Sequence, residues 1–193
     1  MRVEENFRAR IAPLIEEATR ERARFVDQEL HNEWHSFIPA DYDRVIETLL
    51  KVREPGLLFL EWGSATGVIA IMADFLGFNS FGIEVDARLV KIARELAAKF
   101  GSSARFAVGS YLPANYEWIS STGDRRLGAV EHGPPGYAEL GHELEDFDIV
   151  YGYPWSGEEP IMRDVMSRRG GRNARLLLNG GNHGMQIITN NMS

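Results

Sequence analysis

The sequence predicts an α/β protein: a doubly wound, mostly parallel sheet with helices on both faces. Two observations predict it. Short apolar runs, LLFLEW, SFGIE, ARFAV, FDIVYG and ARLLLN, follow one another from residue 57 onward, each with the length and unbroken apolar character of a strand covered on both faces. Helical patterns lie between them, and strands that alternate with helices are joined by crossovers that leave neighbouring strands parallel.

Two helices precede the first run. Phe7, Ile11, Leu14, Ile15, Ala18, Phe25, Val26 and Leu30 recur at three- and four-residue spacing, one stripe of a long helix with an interruption near Pro13. Asp41 caps a second helix that carries Val45, Ile46, Leu49 and Leu50 on one face and stops at Pro55-Gly56. Within the strand region the clearest helix is Asp86 to Phe100, capped by Asp86, with Leu89, Val90, Ile92, Ala93, Leu96 and Phe100 inward and Gly101 as terminator. Another spans about Glu158 to Arg169, where Ser156 and Glu159 have capping-box spacing. From about 115 to 145 the rhythm breaks into STGD and HGPPG, which predicts a loop-rich insertion with at most a short helix before Asp146.

With 193 residues the chain can bury one good core but not two ordinary catalytic domains. The expected division is an N-terminal helical appendage and lead-in helix over 1–54, and a sheet domain over 55–193 that carries the insertion. The 44% hydrophobic and 25% charged content is that of a folded chain. A net charge of −7 weighs against a broad phosphate-binding face, so a nucleic-acid partner is not expected. The absence of cysteine excludes disulfides, thiolate metal sites and a cysteine nucleophile. The first residues lack the apolar centre of a signal peptide, and no segment approaches the ~20 apolar residues of a membrane span. A cytoplasmic protein without a membrane partner is expected.

In doubly wound sheets ligands bind beyond the carboxyl ends of the strands, where the strand order reverses, and the loop after the first strand usually meets them. Here that loop is Glu61-Trp62-Gly63-Ser64-Ala65-Thr66-Gly67. Gly63 allows a tight turn, small Ser64 and Ala65 let a ligand approach the backbone, and Gly67 lets the next helix pack on the sheet. The second strand ends at Glu84, followed by Val85, and the two oxygens of Glu84 suit the two hydroxyls of a ribose. A glycine turn with a downstream acid also serves nicotinamide and flavin enzymes. The loop, however, is G-S-A-T-G rather than G-x-G-x-x-G, and Glu61 would repel a pyrophosphate while attracting the ammonium of a methionine moiety. The third strand ends in Gly109-Ser110-Tyr111, a short polar side chain and a ring suited to bracketing a purine.

EWGSATG, GIEVD and VGSYLP, in that order over roughly residues 57 to 113, resemble the signature segments of class I S-adenosylmethionine-dependent methyltransferases, whose fold is Rossmann-like. The preceding FIPADYDRVIETLL is similar to the lead-in helix of small protein-lysine methyltransferases, including the ATP synthase c-subunit lysine methyltransferase type. The resemblance implies S-adenosyl-L-methionine as cofactor, with the loop from Trp62 to Gly67 at its methionine part, Glu84 at the ribose, and Ser110 with Tyr111 at the adenine. Many class I members place an acid where Ser110 stands.

The fourth strand runs into Tyr151-Gly152-Tyr153-Pro154-Trp155, at the edge where this fold places the methyl acceptor, and resembles the N-P-P-Y segment of amino-group methyltransferases. Gly152 occupies the position of the gripping amide, which speaks against a nucleobase or glutamine acceptor. Tyr153, Pro154 and Trp155 remain as a substrate-binding wall able to contact a cation, worth ~0.5–2 kcal/mol. The acceptor itself is not identified; a protein side chain or small molecule is favoured. Methyl transfer by in-line displacement depends chiefly on orientation, which supplies ~7–11 kcal/mol, so a catalytic residue is optional, with Tyr153 and His183 as candidates. His31 and His35 lie four apart, but H-N-E-W-H is not H-E-x-x-H, and no metal site is expected. His132 and His142 have no spacing that singles them out. The competing functions are a non-catalytic cofactor-binding or regulatory module and, less favoured, a nicotinamide-dependent oxidoreductase. After the fifth strand Met185 to Thr189 leaves room for one strand where the complete fold has a hairpin of two. Either the chain is truncated, or this is a lone edge strand, or a partner completes the sheet, for which a homodimer is the simplest case.

Overall fold

The computed structural model describes residues 2–28, 39–117, 133–155, 157–180 and 184–190. Its elements are α1 (Arg2–Gln28), α2 (Tyr42–Val52), β1 (Leu58–Trp62), α3 (Val68–Phe75), β2 (Asn79–Glu84), α4 (Ala87–Phe100), β3 (Arg105–Val108), α5 (Tyr137–Leu140), a 3-10 turn (Leu144–Asp146), β4 (Ile149–Gly152), α6 (Glu159–Arg169), β5 (Arg175–Asn179) and β6 (Met185–Thr189). The six strands form one sheet in the order β3-β2-β1-β4-β5-β6. β1 pairs with both β2 and β4 in parallel, which puts the reversal of strand order between β1 and β4. Only β6 runs antiparallel, along the outer side of β5. Among the described residues it is the single strand after β5, the lone edge strand Met185–Thr189 that was one of the sequence's alternatives, and its Ile187 is exposed.

Successive strand residues face opposite sides of a sheet, so the apolar runs feed two cores. Phe59, Ile149, Tyr151 and Leu177 face α1 to α4. Leu60, Trp62, Ile83, Val150, Leu176 and Leu178 face α5 and α6. The helix ends follow local chemistry. Asp41 accepts the Arg44 N–H, Asp86 accepts the Arg88 N–H, and Gly101 ends α4 in the left-handed conformation at φ 68°.

α1 differs from expectation by running unbroken through Pro13. A helical proline costs ~3 kcal/mol, but Phe7, Ile11, Leu14 and Ala18 on its stripe are all buried in the same core as α3 and α4. An ion pair from Lys99 to Glu17 at 2.7 Å adds to this docking. α6 also differs: Glu158 is its first flanking residue and no side chain caps it. Ser156, half of the expected capping box, lies outside the described residues, as do Leu30 and the 118–132 part of the insertion. The described part of the insertion carries one short helix, α5, ahead of Asp146.

Candidate functional site

The turn after β1 is built from backbone conformations that small residues tolerate. Gly63, Ala65 and Gly67 have φ of 65°, 46° and 74°. The turn is tied to the end of β2 at two points: the Ser64 N–H donates to the Ile83 carbonyl at 3.0 Å, and the Ala65 N–H donates to Glu84 Oε2 at 2.9 Å. Glu84 Oε1 accepts the Asp86 N–H at 3.0 Å. Both oxygens are therefore engaged, with acceptor capacity left on the carboxylate for a further donor. Glu84 thus stands against the mouth of the turn, where the sequence placed it. A Cβ at Gly82 would come within 2.7 Å of Ser64 Cβ, so the glycine on β2 is what lets Ser64 tuck in. The Ser64 hydroxyl is buried without a hydrogen-bond partner.

Glu61 lies one layer deeper. It is 4% exposed, and its Oε2 accepts the N–H of Ala70, in the first turn of α3, at 2.9 Å. Burial pushes its carboxyl well above the usual range, the Ala70 N–H opposes this, and the charge of Glu84 adds to it. Glu84 is raised too, by burial first, with the amides of Asp86, Ala65 and Val85 holding it back. On the α1 side a cleft of about 230 Å³ opens between Thr19 and Arg22 of α1, Pro39 and Ala40, Tyr42 of α2, and Thr66 of the turn. Burial and the nearby Glu61 push the Tyr42 hydroxyl up to about 12, with Arg22 opposing, so it stays a neutral donor.

No protein-family model matches the sequence, and no curated protein does. Solved structures do match the fold. An RNA methyltransferase from Salinibacter ruber in complex with S-adenosyl-L-homocysteine is similar with a TM-score of 0.52 and 17% identity, over 73% of this chain and 76% of that one. Precorrin-6y C5,15-methyltransferase from Geobacter metallireducens GS-15 is similar with a TM-score of 0.51 and 18% identity, over 77% and 68%. A SAM-dependent methyltransferase from Geobacter sulfurreducens in complex with S-adenosyl-L-homocysteine gives 0.52 and 15%, over 80% of this chain and about half, 53%, of that one. The chain has the class I methyltransferase fold.

Within this methyltransferase fold the sequence-derived residues part company. Gly63, Ser64, Ala65, Gly67 and Glu84 form one turn, with Glu61 beneath it and half-buried Val85 just after it. Trp62 points to the other face. It is 1% exposed, stacks on Tyr111 at 5.0 Å between ring centres, and donates its indole N–H to the Tyr137 hydroxyl at 3.1 Å. That hydroxyl donates in turn to the Tyr111 carbonyl at 2.6 Å. Ser110 is also covered: its N–H donates to the Pro134 carbonyl, its carbonyl accepts the Gly136 N–H, and its hydroxyl accepts the Leu112 N–H.

At the acceptor edge Trp155 is 40% exposed, while Tyr153 and Pro154 are half-buried, Tyr153 against the α1–α4 core. Gly152 packs closely on α6: a Cβ there would come within 2.7 Å of Met162 Sδ, so a larger residue would need that side chain to shift. His183 lies outside the described residues, as do His31, His35 and His132. His142 packs edge-on against Phe81, whose neighbour in register, Arg105, opens β3. Among the described residues no group of three or more His, Asp or Glu is placed to hold a metal, and no described helix is long and apolar enough to cross a membrane.

The sequence reading did not single out two residues that line the cleft beside Thr66, Arg22 and Tyr42. Arg22 sits on a helix that looked like an appendage.

Proposed function

We propose that this chain is an S-adenosylmethionine-dependent methyltransferase acting on a protein side chain or a small molecule. One observation carries it: the Glu84 carboxylate at the end of β2 is hydrogen-bonded to the turn after β1 that it was expected to face, and that turn borders the reversal of strand order between β1 and β4. The residues fit an amino-acid nucleoside. The remaining acceptor capacity of Glu84 suits a ribose hydroxyl, the orphaned Ser64 hydroxyl calls for a polar neighbour, and the cleft beside Thr66 is lined by Arg22 and Tyr42, groups suited to a carboxylate. Glu61 supplies negative charge for an ammonium. Its carboxylate also takes an amide of the first turn of α3, the positive end that a pyrophosphate would need, which disfavours a nicotinamide enzyme.

When bound, S-adenosylmethionine supplies an electrophilic methyl group on a cationic sulfur. The protein's part is to hold and align. Glu84 and the turn orient the nucleoside, Arg22 and Tyr42 fix the amino-acid end, and Tyr153 and Trp155 position the acceptor. A group that must lose a proton before attack would meet Tyr153, the one described residue of the two sequence candidates. The net charge of −7 and Gly152 favour a protein or small-molecule acceptor over nucleic acid, and the likeness of the lead-in helix to that of protein-lysine methyltransferases favours an amine.

Isothermal titration calorimetry with S-adenosylmethionine and S-adenosylhomocysteine tests this. Micromolar binding that Glu84→Ala abolishes supports it, and no heat at millimolar ligand overturns it. Binding without methyl transfer to any acceptor fraction would instead favour the non-catalytic module.

A further inference from the structure

β6 ends the sheet, and among the described residues no strand pairs with its outer side. The hydrogen bonds on its inner side fix which groups point outward. The Asn190 N–H donates to the Ala174 carbonyl at 2.8 Å, and the Gly184 carbonyl accepts the Gly180 N–H at 2.9 Å. These two pairs bracket the register that runs from Arg175↔Thr189 to Asn179↔Met185. In an antiparallel ladder, hydrogen-bonded and non-bonded pairs alternate. Gln186 and Ile188 therefore turn their N–H and C=O toward β5, while Met185, Ile187 and Thr189 turn theirs away from it.

Proteins commonly blunt such an edge with a charge, a proline or a bulge. β6 has none of these: its sequence is MQIIT and its register with β5 is unbroken. Ile187 is 47% exposed and, among the described residues, shares with Trp155 the distinction of a large apolar side chain left at the surface. It lies on the sheet face of Leu177, toward the α1–α4 core against which Met185 packs. A neutral edge is also where two copies of a chain with a net charge of −7 repel each other least.

We propose that β6 is a docking edge for a second copy of this chain, paired antiparallel with its own counterpart about a two-fold axis through Ile187. The outward groups favour that partner because they are self-complementary. With Ile187 opposite the partner's Ile187, Met185 faces the partner's Thr189 and Thr189 faces the partner's Met185. Each outward N–H then meets an outward C=O, giving about six hydrogen bonds, three donated by each copy. A slip by one residue would set these groups against residues whose N–H and C=O are already given to β5. The two Ile187 side chains become cross-strand neighbours and cover each other's apolar surface. The two sheets join with their strands running in opposite directions, so the turns after β1 open toward opposite ends. This pairing is independent of the methyltransferase activity.

A contact built on one short strand is small, so dissociation in the micromolar range is expected, and sedimentation velocity on the full chain from about 1 to 300 μM should show monomer giving way to dimer. Ile187→Lys sets like charges directly opposite each other at a position already open to solvent, and should weaken the dimer about ten-fold or more. The chain has no cysteine, so a single introduced thiol reads the register. Ile187→Cys should cross-link to its own copy under mild oxidation, because the Cα atoms of a bonded antiparallel pair lie ~5.5 Å apart, within the ~4.4–6.8 Å that a disulfide spans. Thr189→Cys should not, since four residues of strand offset leave it ~14 Å from its counterpart. A wild-type chain that stays monomeric throughout this range overturns the proposal. So does a dimer that Ile187→Lys leaves as tight as the wild type, or one in which Thr189→Cys cross-links as readily as Ile187→Cys. The wild-type titration needs no variant and stands even if a substitution misfolds.

Discussion

Glu61→Gln separates two demands on one side chain. In the ligand-free protein Glu61 is 4% exposed, holds the Ala70 N–H at 2.9 Å, and forms no ion pair with a lysine or arginine among the described residues. Its folded carboxyl is pushed well above the ordinary value of 4.5. A raised acid contributes stability fully below the unfolded value and loses it as pH rises through the folded one. For one proton that loss has a slope of up to ~1.4 kcal/mol per pH unit. Glutamine keeps an oxygen for Ala70 and has no charge to bury. The two proteins should therefore be close in stability near the ordinary value of 4.5, and the variant should pull ahead as pH rises toward neutrality. Each pH unit inside that window is worth about 3–5 °C in melting temperature for a chain of this size. Urea unfolding at stepped pH from acid to neutral measures the gap. Curves that stay parallel across the range would refute the assignment of a buried, raised carboxyl. Affinity should move the other way, with S-adenosylmethionine bound about ten-fold more weakly by the variant if the carboxylate attracts the ammonium.

Gly67→Ala would set a methyl 2.5 Å from the Phe106 ring and 2.9 Å from Ala93 Cβ. Left-handed strain and overpacking together should cost about 2–4 kcal/mol in urea unfolding, and a loss under about 1 kcal/mol would contradict this. Tyr137→Phe strands the buried Trp62 indole N–H and the Tyr111 carbonyl; a loss of about 1–3 kcal/mol is expected, and an unchanged unfolding midpoint would show that neither bond matters. Arg22→Ala should weaken S-adenosylhomocysteine about ten-fold in calorimetry while leaving 5′-methylthioadenosine, which has no amino-acid tail, as in the wild type. Equal weakening of both would show that the cleft beside Thr66 does not hold the carboxylate.

Much of this protein is legible without coordinates. The five parallel strands, the Asp41 and Asp86 caps, the Gly101 stop and the Gly63 turn are all written within a few residues of where they act, because propensity, capping and turn chemistry are local. Glu84 was legible as well, since a strand-end acid next to a glycine turn follows from the topology that alternating strands and helices impose. Tertiary structure decided the rest. Glu61 and Trp62 are adjacent in sequence, yet the pleat sends one under the turn and the other into the opposite core against Tyr111. Pro13 breaks no helix because buried contacts outweigh the local cost. Gly152 packs against Met162 on a later helix. Arg22 comes to line the cleft beside Thr66 only because α1 packs back against the turn after β1. What a side chain is buried against, and which charges it feels, depends on crossovers tens of residues long, and no local pattern records that.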